Sequence, residues 1–206
     1  MTPTKQRILD SAERLFATHG VAAASLRNII ADAKVNLAAI HYHYHSKEVL
    51  LDAVLSRRLE PINRERLEML DACGPQPTLE AVLEAFVAPV VRIEADPARG
   101  GKPFVRLMGR IITEESDRLP HIIQQHFVMV LQRFTAALHD ALPELPKAEL
   151  FWRMHFMIGA IAHTLRAGQD MKLISGGLCD TSDVDSVIRR LVSFVAAGFR
   201  AGVDHV

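Results

Sequence analysis

The chain has 206 residues, is 49% apolar and has a formal net charge of zero, with 24 basic against 24 acidic side chains. That length sustains a buried core, the apolar fraction excludes a disordered chain, and no run of about eighteen apolar residues suggests a membrane span. Two isolated cysteines, Cys73 and Cys179, and a charged, amphipathic N-terminus (MTPTKQRILDSAE) argue against a disulfide framework, a cysteine metal site or a secretory leader. A cytoplasmic protein is the expectation.

The first helix is expected from Thr2 or Thr4 to Gly20, with Pro3 in its opening turn and Ile8, Ala12, Leu15 and Phe16 as its inner stripe. Residues 25–48, SLRNIIADAKVNLAAIHYHYHSKE, follow. Ser25 caps a short helix whose apolar positions Leu26, Ile29, Ile30 and Ala33 recur at i, i+3, i+4 and i+7. A turn at Lys34 leads to a second short helix capped by Asn36. With Ile40 inward, Tyr44 falls beside it, while Ala38, Ala39, His41 and Tyr42 point away. Two such helices make a helix-turn-helix. The outward face of the second is small, aromatic and imidazole-bearing, and it carries no carboxylate. Such a surface suits close approach to a duplex, with ring and hydroxyl donors available to phosphates.

Charge adds a mild bias in the same direction. Residues 1–50 carry Lys5, Arg7, Arg14, Arg27, Lys34 and Lys47 against Asp10, Glu13, Asp32 and Glu48, and four of the ten histidines. His41, His43 and His45 are two apart, so neighbours diverge by about 200° on a helix and cannot share an ion. No metal is expected.

RILDSAERLFATHG and then SLRNIIADAKVNLAAIHYHYHSKEVLLDAVL resemble the DNA-binding domain of the TetR family of bacterial transcriptional regulators. Two departures stand out: Lys34 occupies a turn position where the family usually has glycine, and Leu37 replaces a residue that is often polar. The resemblance implies that Arg27, Asn36, Leu37, Ala38 and Ala39 meet bases or nearby backbone. His41, Tyr42, His43 and Lys47 would then hold phosphates. It also implies a DNA-binding domain over residues 1–46 and an effector-binding and dimerisation domain over residues 47–206.

The fourth helix starts at Ser46 and carries Leu50, Leu51, Val54 and Leu55. Pro61 should kink or end it, since proline removes a backbone donor and crowds the preceding turn. A helix capped at Thr78 should halt near Asp96, and ARGGKP should be a flexible connection. Phe104 to Glu115 reads as a helix, Pro120 opens a longer one ending before Pro143, Pro146 starts one through about Met171, and Thr181 caps a last one. About nine helices and no sheet are expected, an all-α fold.

The last two helices point to a second copy. Phe151, Met154, Ile158, Ala162 and Leu165 form one stripe, and Trp152, Phe156, Gly159 and His163 another. A helix apolar on most sides must be covered on most sides. The final helix carries Val184, Ile188, Leu191, Val195 and Phe199, with Gly198 and three alanines beside them. One protomer has too few helices to cover both, so a twofold homodimer built on these two helices follows.

Phe104, Arg106, Met108, Phe127, Leu131, Met154, His155, Met157 and His163 form an apolar lining with polar handles. The pattern fits plain core as well as a cavity for a long ligand with a polar head. KVNLAA, FVRLMGR, ELFWRMHFMIGA and VSFVAAGFRAG are similar to the PsrA-like branch of TetR regulators. That similarity implies a fatty-acid or acyl-CoA effector releasing a repressor from a palindromic operator.

No catalytic residue and no cofactor are expected. Glu114 and Glu115 are adjacent and do not face each other, and no Ser-His-Asp, HExxH or phosphate-cradling pattern occurs. A multidrug-type efflux regulator is the alternative, with an all-α enzyme using His155 or His163 behind it. Both histidines read more readily as buried and satisfied.

Overall fold

A computed structural model describes residues 3–96, 100–114 and 116–202. Among them are ten α-helices, one 3₁₀ turn and no strand. The helices are α1 (Pro3–His19), α2 (Leu26–Ala33), α3 (Leu37–His43), α4 (Lys47–Ala72) and α5 (Leu79–Ala95). Then come α6 (Gly101–Glu114), the turn Ser116–Arg118, α7 (Leu119–His126), α8 (Val128–Ala141), α9 (Lys147–Ile174) and α10 (Val184–Arg200). None is long and apolar enough to cross a membrane.

The chain forms two compact units. The first takes in the chain through Pro61 and the segment from α6 to His126, and the second Ile62–Asp96 and the chain from Phe127. Compactness therefore groups α6 and α7 with the helix-turn-helix, across the sequence boundary drawn at residue 46.

In the first unit, α1 buries Ile8, Leu9, Ala12 and Phe16 and packs against α2 and α6. Glu13, on the same face, is buried and receives both Arg57 and Arg58 from α4. Arg58 Nε and Nη2 lie 3.0 and 2.9 Å from its two oxygens, and Arg57 also reaches Asp10 at 2.6 Å. Two carboxylates, the buried Glu13 and the exposed Asp10, thus balance two half-buried cations and pin α4 to α1.

Four sequence expectations differ from the structure. α4 neither ends nor breaks at Pro61 but runs through it for 26 residues. Proline inside a helix costs about 3 kcal/mol. The helix is held on both sides of it, by Glu13 before and by Arg66 on the Phe86 carbonyl after. Gly101–Pro103, expected as loop, form the first turn of α6, where a proline lacks only a bond that no first-turn residue makes. The helix expected to open at Pro120 and end before Pro143 is two, α7 and α8, parted at Phe127, whose φ of −120° and ψ of −11° leave the helical region. Its last counterpart, α10, is capped by Asp183, which accepts from the Ser186 amide at 3.0 Å, and not by Thr181.

The second unit is built on the buried face of α5 (Val82, Leu83, Phe86, Val87, Val91), with Phe134 of α8, Met154, Met157 and Ile161 of α9, and Ile188, Leu191, Val195 and Phe199 of α10. Arg153 joins the last two helices by donating to the carbonyls of Phe199 at 2.6 Å and Ala201 at 2.9 Å, which lack helical partners at the end of α10.

Candidate nucleic-acid interface

The elements that carry the interface are set by local chemistry. Ser25 Oγ accepts from the Asn28 amide at 3.1 Å and starts α2. Lys34 ends it in the left-handed conformation, φ 53° and ψ 50°, donating to Ala31, while the Val35 amide reaches back to the Ile30 carbonyl at 3.2 Å. These paired bonds are the usual close of a helix whose next residue is glycine. The lysine adopts the glycine geometry, so the turn of a helix-turn-helix is formed without the residue that favours it. On the reverse side, Asp32 is held by Ser11 and Arg14 of α1, which ties α2 down and neutralises its one acid.

The entry and exit of α3 are fixed next. Lys47 Nζ donates to the carbonyls of Ala22 at 3.0 Å and Ala24 at 3.3 Å, closing the loop before α2. Ser46 Oγ accepts from the Val49 amide at 3.2 Å and caps α4. Tyr44, just past α3, is buried; its hydroxyl has no hydrogen-bond partner among the described residues, and burial pushes its phenol up while Arg57 pulls it down. It therefore acts as an apolar peg.

With these anchors in place, Arg27, Asn36, Leu37, Ala38 and Tyr42 are all exposed, Tyr42 to 81%. His43 is half-buried and meets Tyr42 edge-on at 5.0 Å. The side chains of Ala39, Ile40 and His41 lie outside the described residues. Glu48 and Asp52, the first acids after the interface, each face a basic side chain of their own unit. Arg118 approaches Glu48 at 4.0 Å, and His126 lies 3.0 Å from Asp52. The exposed face is thus apolar, aromatic and without an uncompensated carboxylate on its own helix. Sequence reasoning assigned Lys47 to phosphate, whereas the structure gives two of its three donors to backbone carbonyls.

The nine residues expected to line an effector cavity are shared between the two units. Phe104, Arg106 and Met108 belong to the first unit, where Phe104 is buried and Arg106 exposed. Phe127, Leu131, Met154 and Met157 belong to the second, the last two in its core. His155 and His163, read as buried, are exposed on α9. A cavity of about 470 Å³ does occur in the second unit, between α5 and α10, with Ile188, Val192 and Ala196 as its floor and Glu80, Glu84 and Arg200 at its rim. None of the nine touches it. Arg200 pairs there with Glu80 at 2.5 and 2.8 Å, which holds the Glu80 carboxyl below its ordinary value.

The α9 face turned away from that core is aromatic. Trp152 (57% exposed) and Phe156 (64%) stack at 5.8 Å, His155 meets both, and Phe194 of α10 is 71% exposed. The stripe that reaches the core is instead Leu150, Met154, Met157 and Ile161, so Phe151 and Ile158 of the expected stripe are also outside it.

Comparison with known proteins gives two domain matches. Residues 8–54 match the domain described as bacterial regulatory proteins, tetR family, and residues 84–198 the tetracyclin repressor-like C-terminal domain. The HTH-type transcriptional regulator SrpR of Pseudomonas putida is 29% identical over 139 residues, covering 68% of this chain and 59% of SrpR. The chain thus matches about three fifths of that relative's length. Among solved structures, SmeT in complex with triclosan superposes with a TM-score of 0.65 at 19% identity, over 95% of this chain and 91% of SmeT. The fatty acid degradation regulator FadR from Bacillus halodurans also gives 0.65, at 15% identity, over 98% and 99%. At those identities the structural likeness concerns the fold.

Proposed function

The chain belongs to the TetR family of bacterial regulatory proteins, and on that footing we propose a homodimeric repressor that an apolar effector releases from a near-palindromic operator. The observation that carries the reading is the exposed, carboxylate-free face of Leu37, Ala38 and Tyr42 beside Arg27, held out by the buried Tyr44 and the Lys47 clasp. Arg27, Asn36, Leu37, Ala38 and Ala39 then approach base edges or the neighbouring backbone. His41, Tyr42 and His43 take phosphates, and Lys47 offers its third donor to one while ordering the loop behind.

Dimerisation supplies the second copy of that face. Trp152 and Phe156 form an exposed aromatic surface of the kind that a self-complementary interface covers, and Phe194 of α10 is exposed as well. Gly159 and Gly198 lie beside it, and a Cβ added to either meets nothing within 4 Å in one chain. That open side leaves room for a partner helix. A twofold dimer sets two recognition helices into successive major grooves, which is why the operator repeats inverted.

The effector class proposed is a fatty acid or acyl-CoA, accommodated in the second unit near Phe127, Leu131, Met154 and Met157. FadR, of the same fold, is a fatty acid degradation regulator. Binding there and binding to DNA are coupled reciprocally, each weakening the other by the same factor. The shared element is α4, which begins at Lys47 beside the interface and ends inside the second unit. SmeT, which holds triclosan, represents the multidrug alternative. A gel-shift titration on the operator tests both readings. Laurate or lauroyl-CoA is expected to lower DNA affinity at least tenfold while triclosan does not. The reverse result selects the drug-type reading, and no effect of any ligand ends the released-repressor mechanism.

A further inference from the structure

Arg66 of α4 lies in the core of the second unit and is 4% exposed. Its Nε donates to the Phe86 carbonyl at 2.9 Å and Nη1 to Asn63 Oδ1 at 3.1 Å, with the guanidinium carbon 4.2 Å from the centre of the Phe86 ring. All three partners are neutral. Among the described residues no carboxylate pairs with it, although Arg57, Arg58 and Arg153 each have one. Burial draws its pKa down to about 10, so it remains a cation at neutral pH. Two of its five N–H groups are used, and Nη2 donates to nothing among the described residues.

A structural task alone does not call for that charge. Pro89 leaves α5 one backbone donor short near Phe86, and a side chain that steadies the neighbouring carbonyl is useful there. A neutral amide would do so without burying an ion, which is among the costliest groups to place in a core without a counter-charge. The surplus is one positive charge with a donor edge that no described residue takes, against Phe86, itself part of the apolar cluster that holds Phe134, Met154 and Met157.

We infer that Arg66 is the head-group anchor of the effector site, receiving the carboxylate of a single-chain apolar acid through Nη1 and Nη2. The inference rests on the apolar-effector reading given above and narrows it to a free monocarboxylate. One guanidinium matches one carboxylate in charge and forked geometry, whereas the several phosphates of a coenzyme A ester would need further buried cations. The methionine thioethers repack readily around an alkyl chain. Occupancy at residue 66 acts on the same helix that starts at Lys47, which gives the ligand a covalent route to the interface.

Thermal unfolding of the full-length protein with laurate and with methyl laurate, equal in chain length and differing in charge, tests this. For the unsubstituted protein laurate should raise the melting temperature and bind at least tenfold more tightly than the ester. Arg66→Gln should abolish the difference by weakening laurate alone, and Arg66→Lys should restore part of it. Equal binding of acid and ester, or undiminished laurate binding by Arg66→Gln, overturns the anchor and leaves the effector class standing. If neither compound binds, the apolar-effector reading fails and the anchor with it. Should Arg66→Gln not fold, the acid–ester comparison and Arg66→Lys decide.

Discussion

The two halves of α4 handle buried arginine in opposite ways. Before Pro61, Arg57 and Arg58 converge on Glu13, and the charge is matched within the unit. Five residues after it, Arg66 is more deeply buried and meets only a carbonyl, an amide oxygen and an aromatic face. A matched cluster ties two helices together and has nothing left to offer. An unmatched one is expensive in isolation, and its free energy improves when an anion arrives. The same residue type thus makes a scaffold at one end of the helix and a receptor at the other.

Removing Glu13 attacks the matched end and carries the largest expected effect. Glu13→Ala leaves Arg58 without its carboxylate and Arg57 with the exposed Asp10 alone, and should destabilise the protein by about 3 kcal/mol, read as a lower urea midpoint. A change below about 1 kcal/mol would mean that Asp10 and solvent compensate Arg57 and Arg58 unaided.

Dimerisation comes next. Phe156→Glu puts a charge into the exposed aromatic surface of α9 and should weaken self-association about a hundredfold or more, measured by sedimentation equilibrium. A dimer of unchanged strength would show that another face joins the protomers. Tyr42→Ala should reduce operator affinity about tenfold at fixed salt, consistent with loss of one phosphate contact, while leaving the melting temperature within a degree or two.

The unmatched end should respond with the opposite sign. Arg66→Met, in the absence of ligand, should leave stability unchanged or raise it by about 1 kcal/mol, since it removes an uncompensated ion and fills the space with a flexible apolar chain. A loss comparable to that of Glu13→Ala would erase the contrast between the two halves. The smallest effect is expected at Lys34. Its left-handed conformation costs a side chain about 1 kcal/mol relative to glycine, so Lys34→Gly should raise the melting temperature by a few degrees without altering DNA affinity.

What the sequence determined by itself is whatever depends on neighbours in the chain. Ser25 and Thr78 cap where expected because a side-chain oxygen needs only the amide three residues on. The stripe Ile188, Leu191, Val195 and Phe199 is buried as spaced, since the other side of α10 is polar enough to fix its orientation. The helix-turn-helix was legible for the same reason: its caps, turn and apolar stripes are all local.

Tertiary structure decided what depends on partners far away in sequence. α9 is apolar on most sides, so periodicity could not say that Met154 and Met157 go inward while Trp152, Phe156, His155 and His163 stay outside. Pro61 reads as a break, yet α4 runs through it, with Arg57 before it paired to Glu13, 44 residues away, and Arg66 after it bonded to the Phe86 carbonyl, 20 residues beyond. Arg66 lies in NRERLE, a run that reads as a solvated helix face. Its burial arises because α5 is laid over that turn of α4, and residue spacing within α4 carries no trace of which helix will cover it.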